Sequence, residues 1–127
     1  MKHASMSVDE LKAVPGVRFR GRPRRQPGQM NKTEARMAAE LEVLRLAGEI
    51  LWWGYETHKL RLAEKTFITF DFAILHPDGS LELRDTKGGH TEDDARVKMK
   101  VAAAMYWFYR FTVYSTVKGG GWAVEEL

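Results

Sequence analysis

Apolar residues recur at helical spacing in the first part of the chain and at strand spacing in its middle. Met37, Leu41, Leu44 and Leu51 fall at helical intervals, and the run from Glu34 to Leu41 is rich in good helix formers. Asn31 or Thr33 can cap such a helix through a side-chain oxygen, and Gly48 can end it, so the pattern predicts a helix over 33–48. Three stretches of aromatic, β-branched or alternating residues follow, predicting strands over 53–62, 67–75 and 80–86. The last two are joined by His76-Pro77-Asp78-Gly79, a turn sequence that predicts an antiparallel hairpin. Helical spacing resumes over 92–108, with Val97, Val101, Ala104, Met105 and Phe108 on one face. A fourth strand is expected over 110–117, then Gly119-Gly120-Gly121 and a tail containing Trp122. The element order is α-β-β-β-α-β, an α/β chain with a mixed sheet flanked by helices.

Length and composition narrow the classes. One compact domain fits 127 residues with 44% hydrophobic content. The apolar runs are too short for a membrane span and the N-terminus has no secretory h-region, so a soluble, intracellular protein is expected. With no cysteine, any metal must be held by oxygen or imidazole ligands, which favours Mg²⁺ or Mn²⁺. The net charge of +3 is unevenly spread: residues 1–32 carry eight bases against two acids, net +6, leaving 33–127 at −3. Residues 15–28 hold three of the four prolines and five arginines, Arg18, Arg20, Arg22, Arg24 and Arg25. We expect residues 1–29 to be a basic, flexible arm that tethers a polyanion, with Lys32 at its end and the domain proper at 30–127.

Strand alternation places Leu81, Leu83, Asp85 and Lys87 on one face of the third strand, with Glu82, Arg84 and Thr86 on the other. An acid and a lysine continuing a leucine face are costly unless paired, metal-bound or at an edge. Asp71 interrupts the apolar run Phe67 to Leu75, where aspartate is poorly suited. Each has a purely structural explanation: Asp71 at a bulge or paired with Arg61, Asp85 and Lys87 as an ion pair. Together they offer two carboxylates that a hairpin can bring to one divalent ion, with a lysine beside them. Arg96, Lys98 and Lys100 on the second helix, Lys59 and Arg61 on the first strand, and His90 after Gly88-Gly89 are candidate phosphate contacts. Tyr106, Trp107, Phe108, Tyr109 and Phe111 are assigned to core and interface.

Asp71, followed by Asp85-Thr86-Lys87, resembles the D…(D/E)-x-K signature of the PD-(D/E)XK nuclease superfamily. Glu34 matches the glutamate that many members carry on the first helix, and the αβββαβ order matches their core. More narrowly, Lys32 to Arg36, Phe70-Asp71-Phe72, Asp85 to Gly88 and Glu92 to Lys98 are similar to a group of small phage-encoded nucleases. The resemblance spans about residues 30–127. Phe70 stands where the superfamily name puts proline, and Asp85 where glutamate is common. The resemblance implies a restriction-endonuclease-like core and a Mg²⁺-dependent endodeoxyribonuclease. Glu34, Asp71, Asp85 and the Thr86 carbonyl would be metal ligands, with Lys87 catalytic. It also implies branched or four-way junction DNA as substrate, a homodimer, and action in the cytoplasm of a bacterial host. The alternative is a nucleic-acid-binding protein that keeps the fold without cutting.

Overall fold

The computed structural model describes residues 29–89 and 93–127. The five N-terminal arginines, the arm through residue 28, and His90 lie outside the described residues. Asn31 caps the first helix, α1 (Lys32–Leu46), in a reciprocal box: its side chain accepts from Glu34 N at 2.8 Å and its own N–H donates to Glu34 Oε1 at 3.0 Å. Gly48 ends the helix with φ +78°, as expected of a residue that tolerates left-handed backbone.

The strands are β1 (Trp52–Tyr55), β2 (Lys59–Ala63), β3 (Thr66–Thr69), β4 (Phe72–Leu75), β5 (Leu81–Lys87), β6 (Arg110–Thr116) and β7 (Trp122–Glu126), with helix α2 (Asp93–Met105) between β5 and β6. Five of them form one sheet in the order β1-β4-β5-β6-β7, and β2 pairs with β3 in a separate ribbon. Among the described residues only β5 and β6 run parallel, and α2 lies between them in the chain. The result is a mixed α/β architecture. Met37 and Leu41 of α1 pack with Trp53, Tyr55, Phe72 and Ile74, while Met99 and Ala102 of α2 pack with Ala73, Leu83, Phe111 and Val113. Alternation along β4 and β5 thus feeds two cores, one per face. No helix among the described residues is long and apolar enough to cross a membrane.

Several expectations change. The strand expected over 53–62 is two, broken at Glu56, whose φ of +52° takes the chain out of strand geometry. The strand expected over 67–75 is likewise split, at Phe70 and Asp71. Because β1 pairs with β4 and β2 with β3, the four pieces are one long hairpin bent in the middle. Its tip at Glu64 and Lys65 turns through Lys65 at φ +55°. The tail is also a strand: β7 pairs with β6, and Trp122 Nε1 donates to Glu40 of α1 at 2.9 Å. Helix α2 stops at Met105, and the apolar face read from its spacing is exposed, while Met99 and Ala102 meet the sheet.

The face of β5 that carries Glu82 and Arg84 is buried against α1 rather than solvated. Arg84 Nε and Nη2 donate to the two Glu82 oxygens at 2.8 and 3.1 Å, His76 Nε2 lies 2.7 Å from Glu82 Oε1, and Thr112 donates its hydroxyl to Oε2. The guanidinium stacks 3.8 Å over the Tyr114 ring. Burial alone would raise the Glu82 carboxyl, but the hydrogen bonds and charge of Arg84, helped by Thr112 and His76, bring it down to about 2. A carboxyl held below its unfolded value stabilises the fold above pH ~4.5 and loses that contribution as the pH falls toward about 2. The shift corresponds to roughly 3 kcal/mol. We therefore expect urea denaturation of the parent to lose about that much stability between pH 5 and pH 2, and Glu82→Gln to flatten this limb. Arg84→Met, which leaves the acid buried without its cation, should cost about 3–5 kcal/mol at pH 7.

Candidate active site

Three elements supply the candidate residues. The antiparallel register of β4 and β5 pairs Phe72 with Arg84, so the next pair outward is Asp71 opposite Asp85. Here β4 has not yet begun and β5 is still a strand, so the two acids face each other where the hairpin bends away. Asp71 N–H points at Asp85 Oδ1 at 3.4 Å, and the Asp71 carbonyl accepts from Glu56 N at 2.9 Å. Both carboxylates are buried.

Thr86 and Lys87 complete the strand end. Thr86 donates its N–H and its hydroxyl to Asp71 Oδ2, each at 2.9 Å, which fixes the carboxylate against the end of β5. Lys87 Nζ lies 2.8 Å from Asp85 Oδ2, so the ion pair allowed by the sequence forms. Glu34, in the first turn of α1, is buried at 2% exposure and accepts from Tyr55 Oη at 2.9 Å in addition to its capping bond. One side chain thus serves the helix cap and bears by its charge on Asp71. Helix and strand meet closely: a Cβ on Gly88 would lie 3.0 Å from Thr33 Oγ1, so residue 88 has little room for more than hydrogen.

The electrostatics are those of crowded acids. Burial, then the charge of Asp85, then that of Glu34 push the Asp71 carboxyl well above the usual range, against the opposing hydrogen bond from Thr86 N–H. Glu34, Asp71 and Asp85 set three carboxylates against the single ammonium of Lys87, an imbalance that suits an added cation. Among the described residues, no group of three or more Asp, Glu or His side chains is arranged to hold a metal ion by itself. What is assembled is the Asp71–Asp85 pair, with Glu34 within electrostatic reach.

The other candidates fall differently. Arg96 is ion-paired with Glu125 of β7 and remains partly exposed, linking helix and sheet. Lys98 and Lys100 stand exposed on α2, and Lys32 on α1. Lys59 and Arg61 lie on the exposed side of the ribbon, with Lys59 Nζ 4.5 Å over the Phe67 ring. Phe111 joins the core while Trp107 and Phe108 are exposed. Sequence reasoning missed Tyr55 and Glu56, the latter a buried acid bonded to the Asp71 backbone; its left-handed φ has no sequence signature. It also missed Thr69, whose buried hydroxyl has no hydrogen-bond partner among the described residues.

A folded-state pKa raised above its unfolded value means that the native state holds more protons, so stability falls as pH rises above ~4. In chelator at pH 7.5, Asp71→Asn should therefore melt above the parent. Millimolar Mg²⁺ should raise the parent's midpoint and leave that of the variant nearly unmoved. Equal midpoints in chelator would show that Asp71 is not under charge strain.

Comparison with protein-family models, curated proteins and solved structures finds no match for this chain.

Proposed function

We propose that the protein is a Mg²⁺-dependent endodeoxyribonuclease of the PD-(D/E)XK type. The observation that carries this reading is the placement of Asp71 next to Asp85 across the end of the β4–β5 hairpin, with Lys87 paired to Asp85 and the Glu34 charge acting on Asp71. Asp71, Asp85, Glu34 and the Thr86 carbonyl are the residues that would hold Mg²⁺ or Mn²⁺. Such an ion, when bound, supplies Lewis acidity and lowers the pKa of water.

The chain's own groups have separable tasks. Thr86 N–H and Oγ1, on strand β5, hold the Asp71 carboxylate in place although Asp71 itself lies outside a strand. Tyr55 and the cap of α1 orient Glu34 in the same way. Lys87, paired with Asp85, would orient the attacking water or stabilise charge building on the phosphoryl oxygens. Lys98, Lys100, Lys59 and Arg61 offer exposed positive charge for the DNA backbone, and the basic residues 1–32 extend it. Within this reading, branched or four-way junction DNA is the expected substrate, in phage DNA processing in a bacterial cytoplasm.

A second reading, a nucleic-acid-binding protein that does not cut, is favoured by the closed Lys87–Asp85 pair and by the lack of a complete preformed ligand set among the described residues. One assay separates the two. Purified protein is incubated with linear, single-stranded, flapped and four-way DNA in Mg²⁺, Mn²⁺ or EDTA; cleavage in Mg²⁺ abolished by EDTA is expected. Cutting retained in EDTA, or binding without cutting in either metal, overturns the nuclease proposal.

Asp85→Ala should lower the cleavage rate at least about a hundredfold. Lys87→Ala should cut slowly while binding DNA within about threefold of the parent, because its contribution belongs to the transition state. Lost DNA affinity with an unchanged single-turnover rate would make Lys87 a tether instead. Deleting residues 1–29 should leave the saturated rate nearly unchanged. It should also make the salt dependence shallower, by about 0.7–0.9 in the slope of log affinity against log salt per lost phosphate contact. A collapsed saturated rate with an unchanged slope would place the arm in the active site.

A further inference from the structure

The β2–β3 ribbon has one side packed and one side open. Leu60 and Ile68 turn into the core beneath α2, so the cross-strand pairs Lys59–Thr69 and Arg61–Phe67 lie on the other side. Lys59 and Arg61 are exposed there, and Lys59 Nζ rests 4.5 Å over the Phe67 ring. No acid belongs to these two pairs; Glu64 at the tip is the next acid outward, and Glu56 and Asp71 at the bend are the next inward. Thr69 is the anomaly of this side. It ends β3 at 5% exposure, and its Oγ1 is buried without a hydrogen-bond partner among the described residues, the one side-chain nitrogen or oxygen among them left so. An unpaired buried hydroxyl costs stability, whereas valine has the same shape without the polar atom and suits a strand equally well. By packing alone, valine fills position 69 better. A partner from outside the chain accounts for the hydroxyl.

We propose that Lys59 and Thr69 together bind a backbone phosphate of a nucleic-acid strand, at the base of the ribbon beside the acid pair. The hydroxyl donates to a non-bridging oxygen and the ammonium supplies the charge, a pairing that suits an oxyanion. Oγ1 is closed off in the free chain, so the contact needs its cover to shift. The Lys59 side chain is the part best able to shift: it starts opposite Thr69, is exposed, and is held over Phe67 by a weak ring contact that a phosphate oxygen can replace. Arg61 continues the charge on the same side, roughly 7 Å further along at ~3.3 Å per residue. A line of charge suits a strand of phosphates better than a single ion. The assignment rests on the nucleic-acid reading above, but it is tested by binding without metal and so can fail separately from it.

Binding of fluorescent single-stranded and duplex oligonucleotides to the full chain is measured in EDTA at several salt concentrations. Lys59→Gln is expected to lower the slope of log affinity against log salt by about 0.7–0.9. Thr69→Val should weaken binding about five- to tenfold with the slope unchanged, because the lost donor is neutral. Without DNA the same variant should melt above the parent, since an unpaired buried hydroxyl has been removed. Thr69→Ser restores the donor and should bind within about twofold of the parent. Thr69→Ala should bind as weakly as the valine variant, which guards against a packing effect of valine. A valine variant that melts below the parent shows that the hydroxyl already has a partner in the fold, and one that binds like the parent shows that it meets no ligand. Either result overturns the proposal, as does an unchanged salt slope in Lys59→Gln. Stabilisation of the parent by inorganic phosphate over chloride of equal ionic strength, lost in Thr69→Val while oligonucleotide affinity is untouched, would assign the pair to free phosphate and overturn the strand contact. Oligonucleotide binding that needs both side chains in a protein that never cuts would sink the nuclease reading and leave this contact standing. Cutting by a protein whose affinity ignores both side chains does the reverse.

Discussion

At Glu56 the chain takes a left-handed turn, and across from it Phe70 and Asp71 leave strand geometry. This bend in the long hairpin is the constraint on which the site depends. It divides the hairpin into a half that joins the central sheet and a half that forms the β2–β3 ribbon beside α2. It also leaves Asp71 just outside β4, one step beyond the Phe72–Arg84 pair, with its carboxylate held by Thr86 and its N–H directed at Asp85. The Glu56 N–H to the Asp71 carbonyl closes the bend, so the acid is placed by backbone hydrogen bonds rather than by a loop. Glu34 arrives from the other side because the capping box fixes the first turn of α1 and the short side of Gly88 admits Thr33.

Strand β5 carries two ionic clusters of opposite character only a few residues apart. Glu82 is surrounded by donors and by the Arg84 charge, and its carboxyl is driven down to about 2. It is a satisfied network that ties β5 to β6, to the turn before it and to Met37 of α1, whose sulfur accepts from Arg84 Nη1 at 3.3 Å. Asp71 is surrounded by acids, and its carboxyl is driven up. A network with its charges balanced holds structure, whereas crowded acids store free energy that an added cation or proton releases. The contrast, more than burial alone, separates a structural ion pair from a candidate site.

The two helices use the sheet unequally. Helix α1 inserts Met37 and Leu41, and its outer flank is clasped by the Trp122 and Trp53 indoles through Glu40 and Glu42. Helix α2 inserts Met99 and two small residues, leaving its longer apolar side chains on the outside. It also connects the parallel pair β5 and β6, so whatever rests on its outer row lies one helix away from the strand that bears Asp85 and Lys87.

The sequence by itself determined the elements with strong local signals. Asn31 and Gly48 delimit α1, and the His76-to-Gly79 turn sets the β4–β5 register, because capping and turn chemistry act over a few residues. Once that register is set, the pairing of Asp71 with Asp85 follows from counting along two strands, so the acid pair was legible. So was the Lys87 ion pair, from alternation. What the sequence could not show is decided by contacts between distant residues. The bend at Glu56 needs no glycine and leaves no periodicity. Glu82 and Arg84 look like solvated charges until Thr112 and Tyr114, brought alongside by a parallel crossover, enclose them. The apolar period of α2 is compatible with either of two faces, and the sheet takes the one that carries Met99, Ala102 and Ala103. The tail became β7 because β6 offered an open edge. In each case the deciding energy comes from packing between elements far apart in the chain, which local patterns do not encode.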